Sequence, residues 1–186
     1  MQSPIHVLLI TLFDLYIMVV LLRFMLQLFR ADFYNPLSQF VVKVTNPVLV
    51  PLRKAIPGIA GLDVASLIFA YLVILLKYFL LAGISGTMYN PIMMLIIGLA
   101  DLLNQAVSLV FWLVLIRAIM SWINPTVNNP LMMVIVQITE PIMAPVRKLI
   151  PPLGGLDLSP LLLIIGLQFL MGAINYWIFS PLISAL

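Results

Sequence analysis

Residues 5 to 29, IHVLLITLFDLYIMVVLLRFMLQLF, are an apolar stretch long enough to cross a lipid bilayer as one α-helix. An α-helix rises about 1.5 Å per residue, so roughly 20 residues span the ~30 Å hydrocarbon core. Three further stretches have the same character, at about 64 to 83, 93 to 123 and 158 to 182. We therefore predict an all-α membrane protein with four transmembrane helices.

The composition agrees with this fold class and excludes others. The 186 residues are 64% hydrophobic and 8% charged, whereas about a quarter of the residues in soluble domains are charged. The chain has no cysteine, which excludes disulfides and cysteine-ligated metals. The sequence also lacks a phosphate-cradling glycine loop, metal-ligand spacing and a nucleophile elbow. We predict no catalytic residue, no cofactor and no metal site, and hence a protein that is not an enzyme.

The connections between spans one and two, and between spans three and four, are too long to be structureless. Each opens with Asn-Pro, at residues 35–36 and 129–130, which is typical of an N-cap followed by proline in the first helical turn. Apolar residues then recur at helical spacing, which predicts a short amphipathic helix in the headgroup plane. Proline pairs should end these helices and give extended chain, because proline removes an amide donor. These prolines are Pro47, Pro51, Pro141 and Pro145.

The third apolar stretch is longer than one span needs. Its first part contains Asp101, Asn104 and Gln105, so the hydrocarbon-spanning part is expected to begin near Ala106. The preceding turns would then lie at the interface or bend. A re-entrant element at residues 92 to 100 is an alternative.

The sequence aligns with itself when shifted by 94 positions, since residues 23 to 68 match residues 117 to 162 without a gap. Shared hydrophobicity does not explain this match, because most identical pairs are not generic apolar residues. We predict two tandem copies, residues 1–88 and 89–186, each with two spans and one long connection. The identical pairs include Arg23/Arg117, Asn35/Asn129, Pro36/Pro130, Thr45/Thr139, Pro47/Pro141, Pro51/Pro145, Arg53/Arg147, Lys54/Lys148, Pro57/Pro151, Gly61/Gly155 and Asp63/Asp157.

Three segments of the second copy resemble the signature of the YggT/YlmG membrane family: TEP at 139–141, PVRKLIPP at 145–152 and GLDLSP at 155–160. The resemblance covers essentially the whole chain. The first copy departs from it, with Asn46 in place of the acidic residue and Ala65-Ser66 in place of Ser-Pro. The resemblance implies an integral membrane protein, linked in bacteria to cell division or osmotic tolerance and in plastids to nucleoid organisation and cytochrome assembly. It implies no established biochemical activity.

Two spans per copy require both copies to enter the membrane from the same side, which predicts parallel helical-hairpin repeats. The long connections then face one compartment. They carry six Lys and Arg residues, whereas the termini and the central link carry none. The positive-inside rule therefore places the connections in the cytoplasm and both termini in the periplasm of a bacterial inner membrane.

Arg23, Gln27 and Arg30 fall on one face of the first span near its cytoplasmic end. One interpretation is that the arginines extend to the lipid headgroups. The other is ion pairing, of Arg23 with Asp63 and of Arg117 with Asp157. The stripe recurs 94 positions later as Arg117, Ser121 and Asn124.

Several other polar residues permit more than one role. Asp63 and Asp157 precede the returning spans and also suit N-caps. The basic pairs Arg53-Lys54 and Arg147-Lys148 either contact anionic lipid headgroups or only set the topology. Asp14, near the middle of the first span, is either part of a proton or cation pathway or is buried against another helix. The only histidine, His6, is expected at the periplasmic interface.

These features favour a non-catalytic inner-membrane factor that organises other membrane components or assists their assembly. Its expected partners are membrane lipids and other integral membrane proteins or further copies of the chain, and not nucleic acid. The alternative is a small ion channel or transporter lined by the Arg23 and Arg117 stripes, which would favour anions. The residues expected to form the working surface are Arg23, Arg117, Asp63, Asp157, Arg53, Lys54, Arg147, Lys148, Pro47, Pro141, Pro51 and Pro145.

Overall fold

A computed structural model of the protein describes residues 3–58, 61–86, 90–123, 129–149 and 157–184. The elements in these ranges are helices. After the sixth helix, a π-helical turn at Asn175–Phe179 continues the same rod into a short α7 at Ser180–Ser184. The six longer helices are α1 (Pro4–Leu28), α2 (Pro36–Ala55), α3 (Val64–Ser85), α4 (Pro91–Ile123), α5 (Pro130–Leu149) and α6 (Ser159–Ile174).

Four helical segments are long and apolar enough to cross a membrane, as predicted. They are Pro4–Leu28, Val64–Ser85, Pro91–Ser121 and Ser159–Leu182. Their limits agree with the apolar stretches of the sequence to within two residues. The predicted boundary between the two copies, at residues 88 and 89, lies outside the described residues.

Helix α4 is continuous over its 33 residues, which argues against the alternative of a re-entrant element at 92 to 100. Gly98 does not break the helix but lets it approach α3, since a Cβ there would lie 2.9 Å from Leu75 Cδ2. The polar residues Asp101 and Gln105 are only 8% and 7% exposed. They are therefore buried against neighbouring helices.

Helices α2 and α5 run through their proline pairs, which corrects the expectation that Pro47, Pro51, Pro141 and Pro145 end them. Each helix is 20 residues long and contains both of its prolines. All four prolines are exposed. Each proline leaves the carbonyl four residues earlier without its helical donor, and that carbonyl lies on the same helix face. Solvation on this outer face allows the helices to continue.

The predicted N-caps of α2 and α5 are confirmed. The Asn35 side chain accepts a hydrogen bond from the Leu37 amide at 3.0 Å, and Asn129 accepts one from the Leu131 amide at 2.9 Å. At the other end of α1, Arg30 adopts a positive φ of 52°. The amides of Arg30 and Ala31 turn back to the Gln27 and Leu26 carbonyls. This left-handed C-cap takes Arg30 off the helical face that Arg23 and Gln27 share, contrary to the predicted stripe.

Helix α3 packs against both α1 and α4, and α4 in turn packs against α6. Ile17 and Leu21 of α1 and Ile74 of α3 are at most 1% exposed at the centre of this core. The two connection helices α2 and α5 also contact each other. Two hydrogen bonds join the chain around them: Asn35 Nδ2 to the Pro130 carbonyl at 2.5 Å, and the Asp32 amide to Gln137 Oε1 at 2.9 Å.

Candidate functional site: three charge clusters

The first end cluster comprises Gln27, Arg53, Asp63 and Ser66, where α2 ends and α3 begins. Arg53 donates from Nε to Asp63 Oδ1 at 3.2 Å and makes a second, closer contact from Nη2 to Asp63 Oδ2. Arg53 Nη2 also lies 3.4 Å from Gln27 Oε1 on α1. Asp63 is the N-cap of α3, accepting from the Ser66 amide, so its predicted capping role is confirmed. The Arg53 guanidinium thus joins the end of α2 to Gln27 of α1 and to the Asp63 cap of α3.

Arg23 does not pair with Asp63, which corrects the predicted ion pair. Arg53 occupies that carboxylate, because the end of α2 brings its guanidinium closer. Arg23 is 6% exposed, and its guanidinium carbon lies 5.3 Å from the centroid of the Phe33 ring. Within the described part of the chain, its Nε and Nη1 have no hydrogen-bond partner. The residue is buried and does not extend to a headgroup region.

The second end cluster comprises Arg117, Thr139, Glu140, Arg147 and Asp157. Arg117 donates to Thr139 Oγ1 at 2.9 Å and forms an ion pair with Glu140. Arg147 donates to Glu140 Oε1 at 2.6 Å and to Asp157 Oδ2 at 3.0 Å. The predicted Arg117–Asp157 pair is therefore wrong, because Glu140 and Arg147 stand between these two residues. The four charges form one chain from α4 to the start of α6.

The two end clusters share a pattern that the sequence did not reveal. In both, an arginine at the end of a connection helix binds the aspartate ten residues later. They differ where Glu140 has Asn46 as its counterpart. Asp157 also accepts a hydrogen bond from the Ser159 amide at 2.9 Å, but the N-cap position of α6 is Leu158, so the predicted N-cap role of Asp157 is wrong. Lys54 and Lys148 are exposed beside the clusters, and Asn124 lies outside the described residues.

The carboxylates of both clusters have lowered pKa values. Burial alone would raise the pKa of Asp63, but hydrogen bonds from Arg53 and Ser66 and the charge of Arg53 outweigh it and hold the pKa below its ordinary value. The same balance lowers the pKa of Glu140, where Arg117 and Arg147 oppose the effect of burial. Asp157 also has a lowered pKa, through Ser159 and Arg147. All three groups are therefore more stable as anions in the folded protein.

Acid should destabilise the protein through these groups. A carboxylate with a depressed folded-state pKa contributes stability above its unfolded pKa of about 4, and that stability is lost as the pH falls through the lower folded-state value. We expect the unfolding midpoint in detergent micelles to fall steeply below about pH 4. Asp63→Asn should lower stability at pH 7 and make the fall of the unfolding midpoint below about pH 4, the acid limb, less steep. Asp32→Asn, at an exposed position outside the clusters, is the control, and an equally steep limb in Asp63→Asn would contradict the assignment.

The inner cluster comprises Asp14 of α1, Lys77 of α3, and Asp101 and Gln105 of α4. Lys77 Nζ lies 2.7 Å from Asp14 Oδ1 and 2.6 Å from Asp101 Oδ2. Gln105 Nε2 donates to Asp14 Oδ1 at 3.1 Å and to Asp101 Oδ1 at 3.2 Å. The whole Lys77 residue is 4% exposed. Asp14 is thus packed against two other helices, since it contacts Lys77 of α3 and Gln105 of α4. This agrees with the interpretation that Asp14 is buried against another helix.

The depth of the inner cluster follows from a hydrogen bond at one end of the helices. His6 Nε2 lies 2.8 Å from Ser85 Oγ, which brings the start of α1 to the end of α3. Asp14 and Lys77 are each eight residues farther along their helices, or about 12 Å at the helical rise. With His6 at the membrane interface, as the sequence predicts, the cluster would lie about 12 Å inside a hydrocarbon layer of about 30 Å.

Lys77 is the functional candidate that the sequence analysis missed. A single lysine among apolar residues in the middle of a span is itself a sign of a buried partner, because an unpaired ammonium is costly there. Its partners lie 63 and 24 residues away in the chain. The spacing of the sequence does not reveal them. Among the described residues, no group of three or more His, Cys, Asp and Glu could hold a metal ion.

Comparison with known proteins gives a family and several relatives. A family model described as CCB3/YggT matches residues 2–84 and again residues 96–178. A Vibrio alginolyticus protein, described as an uncharacterized protein in the proC 3' region, is 51% identical over 88% of this chain and 91% of its own length. The uncharacterized protein PA0392 of Pseudomonas aeruginosa is 44% identical over 86% of this chain and 82% of its own. The uncharacterized protein YggT of Escherichia coli K12 is 43% identical over 85% of this chain and 82% of its own. No solved structure matches the chain.

Proposed function

The chain belongs to the CCB3/YggT family, and from this premise we propose that it is a non-catalytic factor that binds and organises other integral membrane proteins. The observation that carries this proposal is the uncovered face of the fourth span. Only Ser159 and Ile174 are buried in α6, and no residue is buried in the π-helical turn that follows. A partner helix on this face is the occupant that the geometry favours.

The uncovered face has the composition of a helix-docking surface. Phe169, Tyr176 and Trp177 are 72%, 72% and 67% exposed. With Gly172 and Ala173 they line a shallow groove of about 270 Å³. Small residues let helix backbones approach closely within a membrane, and aromatic side chains supply large contact area. A π-helical turn at the same place agrees with a functional surface, since such turns are frequent at functional sites.

The internal repeat indicates what covers this face. We infer two parallel repeats, since the family matches 2–84 and 96–178 are offset by the same 94 positions as the sequence repeat. Helix α3 of the first segment has neighbours on two sides, α1 and α4, whereas its counterpart α6 packs mainly against α4. The missing neighbour is a transmembrane helix. An α1 helix from a second copy would make a head-to-tail contact, which must close into a ring or propagate into an open chain. A different membrane protein covers this face without either requirement, and we take it as the occupant.

The connection helices and their basic pairs complete the proposed orientation. In α2 one face is buried through Val41, Thr45 and Leu49, while Phe40 and Val48 are exposed. We infer that this exposed apolar surface lies in the headgroup plane, with Lys54 and Lys148 toward anionic lipid. The positive-inside rule then supports cytoplasmic connections and periplasmic termini in the bacterial inner membrane.

A channel lined by the Arg23 and Arg117 stripes has less support from the geometry. Arg117 is engaged by Glu140 and Thr139, so its charge is compensated. Arg23 is buried beside Phe33, and Arg30 lies beyond the helix end. An anion pathway needs basic side chains that face a continuous opening. Arg117 instead links α4 to α5 through Thr139 and Glu140.

Site-specific photocrosslinking tests the proposed partner. A photoreactive phenylalanine analogue at Phe169 or Trp177, in the full chain in native membranes, is expected to give a discrete adduct with one larger protein. The same analogue at Leu12, which is 56% exposed on α1, is the matched control and should label lipid only. An adduct of twice the mass of the chain would identify a second copy and contradict the proposed occupant. Lipid labelling alone at both α6 positions would contradict the docking surface.

A further inference from the structure

The inner cluster has unequal numbers of acidic and basic groups. Asp14 and Asp101 carry two negative charges when ionised, and Lys77 carries one positive charge. Among the described residues, Lys77 is the only basic side chain in ion-pair contact with either carboxylate. With all three groups ionised, the cluster has a net charge of −1. A net charge in a low-dielectric interior is strongly disfavoured, and such groups bind a proton or a counterion instead.

The hydrogen bonds of the cluster also leave one acceptor unmatched. Lys77 and Gln105 donate four contacts, and all four go to the two carboxylates. The remaining polar atom of the Gln105 amide, Oε1, is buried and has no partner within the described residues. Gln105 itself is 7% exposed. A buried acceptor beside two carboxylates indicates that the cluster lacks one donor.

Within the described ranges, no further charged side chain forms an ion pair with the cluster. On α3, Lys77 Nζ lies 5.1 Å from the centroid of the Tyr78 ring. On α1, His6 is about 12 Å from Asp14 along the helix and Arg23 about 13 Å in the other direction. Arg23 lies instead beside Phe33. On α4, Asp101 is the charged member of the cluster, and the uncharged Gln105 follows one helical turn later. The charge and the missing donor must therefore both be supplied from outside these side chains.

We propose that the inner cluster is a proton-binding site within the membrane, where Asp14 and Asp101 share one proton taken up from water. The proton forms an O–H bond to a carboxylate oxygen, and no bond in the protein breaks. This step brings the cluster to zero net charge. It also supplies a donor, to which the Gln105 amide can turn its Oε1. The Asp14 side chain is 36% exposed at the surface of the helix bundle.

A proton fits this site better than a metal cation. The ammonium of Lys77 already lies within 2.7 Å of both carboxylates, where a metal ion would be repelled by it. A proton needs only one carboxylate oxygen, whereas a metal ion requires several oxygen ligands around an open position. The ligand is therefore a proton, bound between Asp14 of α1 and Asp101 of α4 next to Lys77 of α3.

Infrared spectroscopy of the full chain in lipid vesicles tests this site. At pH 7 we expect a protonated-carboxyl C=O band that corresponds to one group per chain and shifts on ¹³C labelling of aspartate. Asp14→Asn and Asp101→Asn should each abolish the band. In each variant the remaining carboxylate and the Lys77 ammonium have zero net charge together, so no proton is needed. Lys77→Met should double it, because both carboxyls then bind a proton. Asp32→Asn is the control and should leave it unchanged.

Several outcomes would overturn the proposal. One is the absence of an aspartic acid band from the wild-type spectrum at pH 7. Another is a band that persists in both Asp14→Asn and Asp101→Asn. Loss of the band on addition of NaCl at constant pH would identify a sodium site. The spectrum of the isotope-labelled wild-type protein shows whether an aspartic acid band is present at pH 7, even if a variant does not fold. These measurements do not depend on the α6 surface, so the two proposals can fail separately.

Discussion

Lys77→Met should lower the free energy of unfolding by about 3 kcal/mol, near the lower end of the cost of removing one partner from a buried ion pair. The substitution keeps the length of the side chain but leaves Asp14 and Asp101 facing each other without the ammonium between them. The lower end applies because the Asp14 side chain is only partly buried, with 36% of its surface exposed. Unfolding of the purified protein in mixed micelles, followed by circular dichroism, measures the change.

Lys54→Met is the matched control for this substitution. Lys54 is exposed at the end of α2, so the same chemical change should alter stability by less than about 0.5 kcal/mol. Asp14→Asn and Asp101→Asn introduced together with Lys77→Met should recover part of the loss, since neither side chain then has to bind a proton in place of the lost ammonium. A loss for Lys77→Met as small as that of the control would show that the cluster is not buried in the folded state.

The helices could be predicted from the sequence because each depends on local information. Long apolar stretches gave the spans, and Asn35 with Pro36 gave the start of α2. The ends of α2 and α5 could not be predicted in this way. Proline is unfavourable in a helix interior, yet Pro47 and Pro51 lie where their exposed face accommodates the lost hydrogen bonds. Tertiary placement of the proline decided the outcome, and local propensity did not.

The charge pairs show the same limit more sharply. The repeat correctly drew attention to the arginines and aspartates, and the capping role of Asp63 followed from its place before an apolar run. The partners did not follow, because Asp63 is bound by an arginine from α2 and not by the one in α1. In the inner cluster the three charged residues come from three helices. Their meeting is a property of helix packing, and no spacing in the chain encodes it.

The two end clusters differ at one acidic position, where Glu140 has Asn46 as its counterpart, and this difference predicts the effects of exchanging the two residues. Glu140 neutralises Arg117 and Arg147 together, whereas its counterpart Asn46 leaves two nitrogens of the buried Arg23 without a partner in the described residues. Glu140→Gln should therefore cost about 2 kcal/mol. This value lies between the ~0–1 kcal/mol of exposed pairs and the ~3–5 kcal/mol of buried ones, because the Glu140 side chain is 39% exposed.

The reverse exchange should stabilise the protein, since Asn46→Glu would place a carboxylate between Arg23 and Arg53 as Glu140 lies between Arg117 and Arg147. We expect a gain of about 1 kcal/mol, comparable to one charge-assisted hydrogen bond after side-chain ordering. Unfolding in mixed micelles at pH 7 measures both variants. Asn46→Gln, which has the shape of glutamate without its charge, is the control and should give little gain. A neutral or destabilising effect of Asn46→Glu would show that Arg23 already has its charge compensated, and the two clusters would then not be equivalent in structure.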